Sequence, residues 1–289
     1  MTSLKPYLTL CRVPISLFAA CSAAAGFFLA PHRPSVEVLV PAAAVFLLAC
    51  GASALNQYQE RDIDARMERT KRRPLPAGII SPVHALSIAI TLVLAGLLAL
   101  AFSGGLTAAG LGVLALLWYN GVYTYLKRTT AFASVPGAAV GMVPPAIGWV
   151  SAGGQLLDAR LAAVCFIFFL WQVPHFWLLL LHHGKEYENA GLPSLTGIMG
   201  RQQISRITFI WICAASVASL ALPLYGSMRS PLLSWTLIPL AAWLIWSSSA
   251  LAGREPATAP SSPLFRKINI YLFLLMSLLV LGSLLQGVL

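Results

Sequence analysis

Long apolar runs alternate with short polar bridges along almost the whole chain. A helix of about 20 apolar residues matches the hydrocarbon core of a bilayer. Nine segments qualify, at residues 13–30, 38–58, 83–103, 106–125, 133–152, 160–182, 203–225, 232–251 and 267–287. Only Gly104-Gly105 separates the third from the fourth, which predicts a tight turn there. The fifth contains three glycines (Gly137, Gly141, Gly148) and three prolines (Pro136, Pro144, Pro145). Such a segment breaks as a helix unless neighbours pack closely against it or it lines a cavity, so either kinked packing or contact with a flat, bulky substrate fits it. The pattern predicts an all-α, polytopic membrane protein with nine transmembrane helices bundled around a central cavity.

Composition agrees. Of 289 residues, 58% are apolar and 10% are charged, with mean hydropathy +0.79, which excludes an ordinary soluble domain. The net charge of +10 falls in short blocks between apolar runs and so argues for anionic lipid or an anionic substrate rather than nucleic acid. If the N-terminus and the loops after spans two, four, six and eight share one side, that side holds sixteen of the nineteen Lys and Arg residues. The other side keeps Arg33, Arg160 and Arg229. The bias predicts a cytoplasmic N-terminus and an external C-terminus. Lys5 and Arg12 precede the first apolar run, but no small-residue cleavage site leads into a soluble domain, so an uncleaved first span is expected. The short N-terminus, with no Arg/Ser-rich presequence, points to a bacterial inner membrane. Cys11, Cys21, Cys50, Cys165 and Cys213 form no CxxC pair and read as small core residues.

One stretch changes the picture. Asn56 to Pro76 carries four of the nine acidic residues (Glu60, Asp62, Asp64, Glu68) and six cations (Arg61, Arg66, Arg69, Lys71, Arg72, Arg73) between two apolar runs. Asn56, Glu60 and Asp64 are four apart, so a continuing helix lines them along one face, ~5–6 Å from neighbour to neighbour. Two carboxylates and an amide oxygen suit Mg²⁺, which takes oxygen ligands and keeps water and substrate phosphate in its shell. The following cations suit the rest of a phosphate's charge, Arg as a bidentate fork and Lys as a point charge. The same stretch also suits a solvated basic loop that sets topology.

Other polar positions are fewer. Tyr123 and Lys127 lie one helical turn apart, and Lys127-Arg128 either faces a diphosphate or belongs to an interfacial belt of Tyr with Lys and Arg. Gln172 and His175 share a face inside the sixth apolar run, where polar groups usually meet a bundle interior or cavity, as ligands or as hydrogen-bonded structural residues. Glu186, flanked by Lys185, Tyr187 and Glu188, reads as a weaker acidic site facing the first across the bundle, or as a solvated loop. A second charged loop, 182–206, follows span six as the first follows span two. It suggests one domain, 1–289, of two four-helix halves (13–130 and 133–251) plus a ninth helix at 267–287. No Walker A loop, G-x-S-x-G elbow, H-E-x-x-H or CxxC is present.

The strings R-D-I-D-A-R-M-E-R-T-K-R-R-P-L-P, Y-T-Y-L-K-R-T, V-P-P-A-I-G-W, W-Q-V-P-H-F-W and E-Y-x-x-A-G-x-P occur in order along nearly the whole length. In these the chain resembles the UbiA superfamily of intramembrane prenyltransferases, and within it the branch that farnesylates haem. Asn56, Glu60 and Asp64 occupy the Asn, central Asp and last Asp places of the superfamily's N-D-x-x-D-x-x-x-D helix end. Glu60 stands where Asp is usual, Gln57 where the wider superfamily has Asp, and Glu186 where Asp precedes the Tyr.

The resemblance implies transfer of farnesyl from farnesyl diphosphate to the vinyl group of haem b, with Mg²⁺ as cofactor. It implies Asn56, Glu60, Asp64 and Lys127 as catalytic residues and Glu60, Asp64 and Glu186 as metal ligands. Arg61, Arg69, Lys71, Arg73, Lys127, Arg128 and Lys185 would face the diphosphate, and Gln172, His175 and Tyr123 would position haem. It implies the lipid bilayer and a haem A synthase or terminal oxidase assembly as partners. The rival readings are a prenyltransferase acting on a quinone precursor such as 4-hydroxybenzoate, and a non-catalytic haem-handling transporter.

Overall fold

A computed structural model describes residues 4–31, 35–227, 231–253 and 261–286. The cations Arg33, Arg229 and Arg254, and the last residue of the predicted ninth span, Gly287, lie outside the described residues. Those described form helices joined by turns, with no strand among them. The principal elements are α1 (Lys5–Leu10), α2 (Val13–Leu29), α3 (Leu39–Asp64), α4 (Pro82–Leu126), α5 (Val143–Ser151), α6 (Ala159–Asn189), α7 (Arg201–Ser219), α8 (Pro231–Ser248) and α9 (Ser261–Gln286). Consecutive helices pack side by side, and α9 packs on both α2 and α6, so the bundle closes on itself.

By length and apolarity alone, five helices among the described residues qualify as spanning, with Val13–Leu29 as a shorter sixth, against nine apolar runs in the sequence. Three physical reasons separate the counts. First, the predicted third and fourth spans form the single element α4, which turns at Gly105 (φ +65°, ψ −164°), a conformation open to glycine but not to residues with a Cβ. Its two arms run back along each other: a Cβ on Gly112 would meet the side chains of Leu100 and Leu97 at 2.8 and 3.0 Å. Second, the predicted fifth span is broken into Ser134–Gly137, a 3₁₀ turn at Ala138–Met142, and α5. Third, α7 opens with Arg201, Gln202 and Gln203 and carries Arg206, which lowers its apolarity.

The glycines of the broken segment are filled by the protein itself, in place of a flat substrate. A Cβ on Gly137 would lie 2.4 Å from the Tyr123 ring, and one on Gly141 would lie 2.8 Å from Gln172 Oε1. Gly148 of α5 and Gly26 of α2 seat against each other's helices: added Cβ atoms would sit 1.7 Å from the Ala23 carbonyl oxygen and 2.0 Å from that of Pro145. Without side chains at the crossing, the two backbones touch.

The apolar exterior faces lipid. Phe102, Leu106, Trp235 and Trp246 are all strongly exposed. Inside, Trp171 Nε1 of α6 donates to the Ile268 carbonyl of α9 (2.8 Å), and the Tyr271 hydroxyl donates to Ser219 Oγ (2.7 Å). Buried polar groups are thereby satisfied across helices. The loop after α3 is a folded cap. Met67, Thr70, Leu75 and Ile80 are buried, and Leu75 and Ile80 pack with Leu10 of α1, Ala54 of α3, and Ala85 and Ala89 of α4.

Candidate active site

The helix α3 continues to Asp64, so Asn56, Glu60 and Asp64 do lie along one side, joined by Gln57. All four are buried, with relative exposures of 1, 5, 3 and 1% for Asn56, Glu60, Asp64 and Gln57. Buried carboxylates require partners, and both have them. Arg73 Nη1 sits 2.8 Å from Asp64 Oδ1 and 2.7 Å from Oδ2, while Glu60 Oε1 is ion-paired with Lys127 Nζ from the end of α4. Thr70 Oγ1 donates to the Asp64 carbonyl (2.9 Å), pinning the cap to the helix end.

Burial alters the cations. It draws the Lys127 ammonium below the ordinary lysine pKa, with Glu60 opposing the shift. It also lowers Arg73, to which the neighbouring Arg12 adds repulsion. Lys127 Nζ lies 5.4 Å from the centre of the Tyr123 ring, a cation–π contact.

The wall opposite α3 is the end of α4, where Leu117–Tyr123 winds as a π-helix, a form concentrated at functional sites. It presents Asn120 towards α3, while Tyr119 meets Arg12 and Tyr123 stacks on Phe176 of α6. Asn120 Nδ2 donates to Gln59 Oε1 (3.0 Å) and the Ala52 carbonyl (3.1 Å), and Gln59 Nε2 donates to the Asn120 carbonyl (3.1 Å). Asn56 Nδ2 donates to Thr124 Oγ1 (3.0 Å), which leaves Asn56 Oδ1 buried without a partner. This orphan amide oxygen, together with two carboxylates on the same helix face, is a hard-oxygen donor set that fits Mg²⁺.

The remaining sequence candidates divide. Arg128 Nη2 donates to the Gln59 carbonyl (2.7 Å) and so joins the cluster. Arg61 turns back, donating to the Tyr58 carbonyl (2.7 Å) and pairing with Asp62 (3.7 Å). Lys71 pairs with Glu68 at 2.6 Å on the exposed side of the cap. Arg69 is exposed, and its backbone N–H donates to Glu186 Oε2 (3.3 Å). That bond brings the second charged loop against the first, but Glu186 otherwise pairs with His183 Nδ1 (3.2 Å). Among the described residues no three His, Cys, Asp or Glu side chains gather as a metal cluster, and Glu186 stands apart from Glu60 and Asp64. The reason is local: Glu186 is held by its own helical turn and by backbone. Lys185 is exposed. Gln172 lies against Gly141, and His175 is enclosed by Trp171, Phe176 and Phe265.

Arg12 is the functional residue that sequence reasoning assigned only to topology. Its Nη1 donates to the Tyr119 hydroxyl (3.4 Å), and its charge acts on Glu60, Asp64 and Arg73. Its backbone, at φ +45° and ψ +50°, is the one left-handed non-glycine conformation among the described residues. Strain of this kind gathers at functional sites. The signal in the sequence is a cation placed directly before an apolar run that opens with proline.

An ionic cap whose buried carboxylates and cations close one end of an apolar helical bundle defines an integral membrane protein built to handle a polar, anionic group beside lipid. Residues 17–282 match the UbiA prenyltransferase family, and the chain belongs to that family. It is 43% identical over 228 residues to a protoheme IX farnesyltransferase of Geobacter sulfurreducens, covering 79% of this chain and 84% of that protein. It is 33% identical over 281 residues to the protoheme IX farnesyltransferase of Oleidesulfovibrio alaskensis, covering 97% of each. The structure of a UbiA homologue from Archaeoglobus fulgidus bound to GPP and Mg²⁺ superposes with a TM-score of 0.72 at 14% identity, covering 96% of this chain and 99% of that one. That likeness is one of fold.

Proposed function

We propose that this protein transfers the farnesyl group of farnesyl diphosphate to a vinyl group of haem b, with addition of water, giving haem O and diphosphate. The observation that carries the reading is the pair of buried carboxylate–cation contacts, Glu60–Lys127 and Asp64–Arg73, at the mouth of an aromatic-walled bundle. Its relatives' names supply the acceptor.

In this reading Asn56, Glu60 and Asp64 would hold Mg²⁺. When bound, the ion supplies charge neutralisation for the leaving diphosphate. Lys127, Arg73 and Arg12 surround the same spot and would stabilise negative charge as the C1–O bond breaks and its electron pair departs with the diphosphate. Arg128 extends the basic rim. The vinyl π pair then bonds to C1, and water captures the cation left on the adjacent carbon, losing a proton to give the hydroxyethylfarnesyl group. Tyr119, Tyr123 and Phe176 stack in series (5.9 and 5.7 Å) and would shield the farnesyl cation from premature water. Gln172, His175 and Tyr123 are assigned to the acceptor side. Arg61 and Lys71 point away from the cluster and are assigned no phosphate contact.

We place the protein in a bacterial inner membrane with the cap cytoplasmic, and read residues 1–289 as one catalytic unit of two helical halves and a final helix. The test is incubation of membranes holding the protein with haem b, farnesyl diphosphate and Mg²⁺, with an EDTA control, followed by mass spectrometry of extracted haems. Metal-dependent haem O is the expected product. Prenylation of 4-hydroxybenzoate with none of haem would move the assignment to a quinone precursor.

A further inference from the structure

His175 is a polar group deep in the bundle for which the cap has no use. It lies in α6 directly after Pro174, inside a stretch whose other polar residue is Gln172, three positions earlier. Its ring is boxed by Trp171 and Phe265, each with its ring centre 4.7 Å away, and by the edge of Phe176 at 5.9 Å. Its Nδ1 is buried and has no hydrogen-bond partner. The nearby donors are spent elsewhere: the Trp171 indole on the Ile268 carbonyl, and Asn269 Nδ2 on the Phe265 carbonyl at 2.6 Å. The Asn269 carboxamide, supplied by α9, still approaches the imidazole closely enough to interact with it. An imidazole held among aromatic rings, oriented by one amide and left with a free nitrogen, is costly in an apolar core unless a ligand completes it.

Position identifies the ligand. Lys127 stands over Tyr123, Tyr123 stacks on Phe176 at 5.7 Å, and Phe176 meets His175 edge-on, so ring contacts link the ionic cap to this histidine. In an iron porphyrin the metal sits at the centre of a flat ring and the vinyl groups at its edge. An axial ligand for the acceptor therefore belongs away from the diphosphate cradle, with the porphyrin edge reaching back towards it. Neutral imidazole is a good ligand for iron, and a hydrogen-bonding neighbour orients such ligands. Resting on the haem-farnesylating reading above, we propose that His175 is the axial ligand to the iron of the acceptor haem and that Asn269 is its positioning residue. Iron ligation, rather than porphyrin shape alone, then selects the acceptor.

The experiment titrates the detergent-solubilised full chain with ferric haem b and, separately, with metal-free protoporphyrin IX, following the Soret band and the electron paramagnetic resonance spectrum. The wild type should show an imidazole-ligated spectrum and bind the iron porphyrin more tightly. His175→Ala should lose that spectrum and regain it when imidazole is added. Asn269→Ala should keep the ligation but weaken haem affinity by about tenfold. An unchanged spectrum and affinity in His175→Ala, or equal wild-type affinity for the two porphyrins, overturns the proposal. The porphyrin comparison decides it even if the histidine variant fails to fold. Haem O formation is measured in the same preparation. Haem O from the wild type alongside an unchanged His175→Ala spectrum removes only the axial ligand. A wild type that binds no haem and prenylates another acceptor removes both readings.

Discussion

Two charged loops close the same end of this bundle, and their carboxylates have different surroundings. At the end of α3, Glu60 and Asp64 are buried and answered by cations outside their own helix, Lys127 from the end of α4 and Arg73 from the folded cap. At the end of α6, Glu186 is part-exposed and held by His183 one turn before it and by the Arg69 backbone. Glu188 is exposed and bound to Thr196 Oγ1 at 2.5 Å. Helix-end acids in similar sequence positions therefore sit in different electrostatic settings. Buried charge held by a buried partner keeps a strong interaction that a substrate can redirect, whereas part-exposed charge is screened and shapes a loop.

The strongest test of this contrast is neutralisation of one acid in each loop. Asp64→Asn leaves Arg73 buried opposite no charge and removes a metal-ligand oxygen, so haem O formation should fall by about a thousandfold or more, the equivalent of about 4 kcal/mol. Glu186→Gln in the same assay should cost about tenfold or less, on the scale of about 1 kcal/mol for a partly exposed pair. Equal losses in the two variants would erase the distinction.

Next in size is the cation. Because burial lowers the Lys127 pKa, its charged and active form is lost as pH rises, at a lower pH than for an ordinary lysine. A pH–rate profile should therefore fall on its alkaline side below the usual lysine range. Lys127→Arg should extend activity to higher pH, since arginine stays charged. Lys127→Met should show little activity at any pH, and an unchanged alkaline limb in Lys127→Arg would exclude this lysine as the titrating group.

Arg12 sharpens the boundary of the buried cluster. Arg12→Lys keeps charge but loses the fork towards Tyr119, and should raise the KM for farnesyl diphosphate about tenfold with haem O yield at saturation largely kept. An unaltered KM would return Arg12 to a topological role. The smallest effect on chemistry, with a clear one on stability, belongs to the helix crossing. Gly148→Ala places a methyl against the Ala23 carbonyl and should destabilise the bundle by about 1–3 kcal/mol, read as a lower thermal transition in detergent.

Much of this was legible in the chain. The three-residue face of Asn56, Glu60 and Asp64, the turn at Gly104-Gly105 and the breaking of the segment after Ala133 follow from periodicity and from the backbone properties of glycine and proline. Other features had no local signature. The count of spanning helices blurred because a hairpin merges two runs into one element and a proline-rich run splits into short pieces. Asp64 could have chosen any of several cations in the following loop, and it is Arg73, nine residues on, that folds back to it. Arg61 and Lys71 looked equivalent in sequence and are turned away by neighbours, Tyr58 and Glu68.

By itself, then, the sequence determined the solvent this protein lives in, its helical class and the chemical kind of its polar end, because those depend on hydrophobic period and residue type along a local stretch. Only the tertiary structure decided which cation meets which carboxylate, that Arg12 and the π-helical turn of α4 complete the cap, and that Asn269 reaches His175. Those outcomes depend on contacts between residues from nine to more than a hundred positions apart, which are set by how the cap folds and the helices pack and not by any pattern within them.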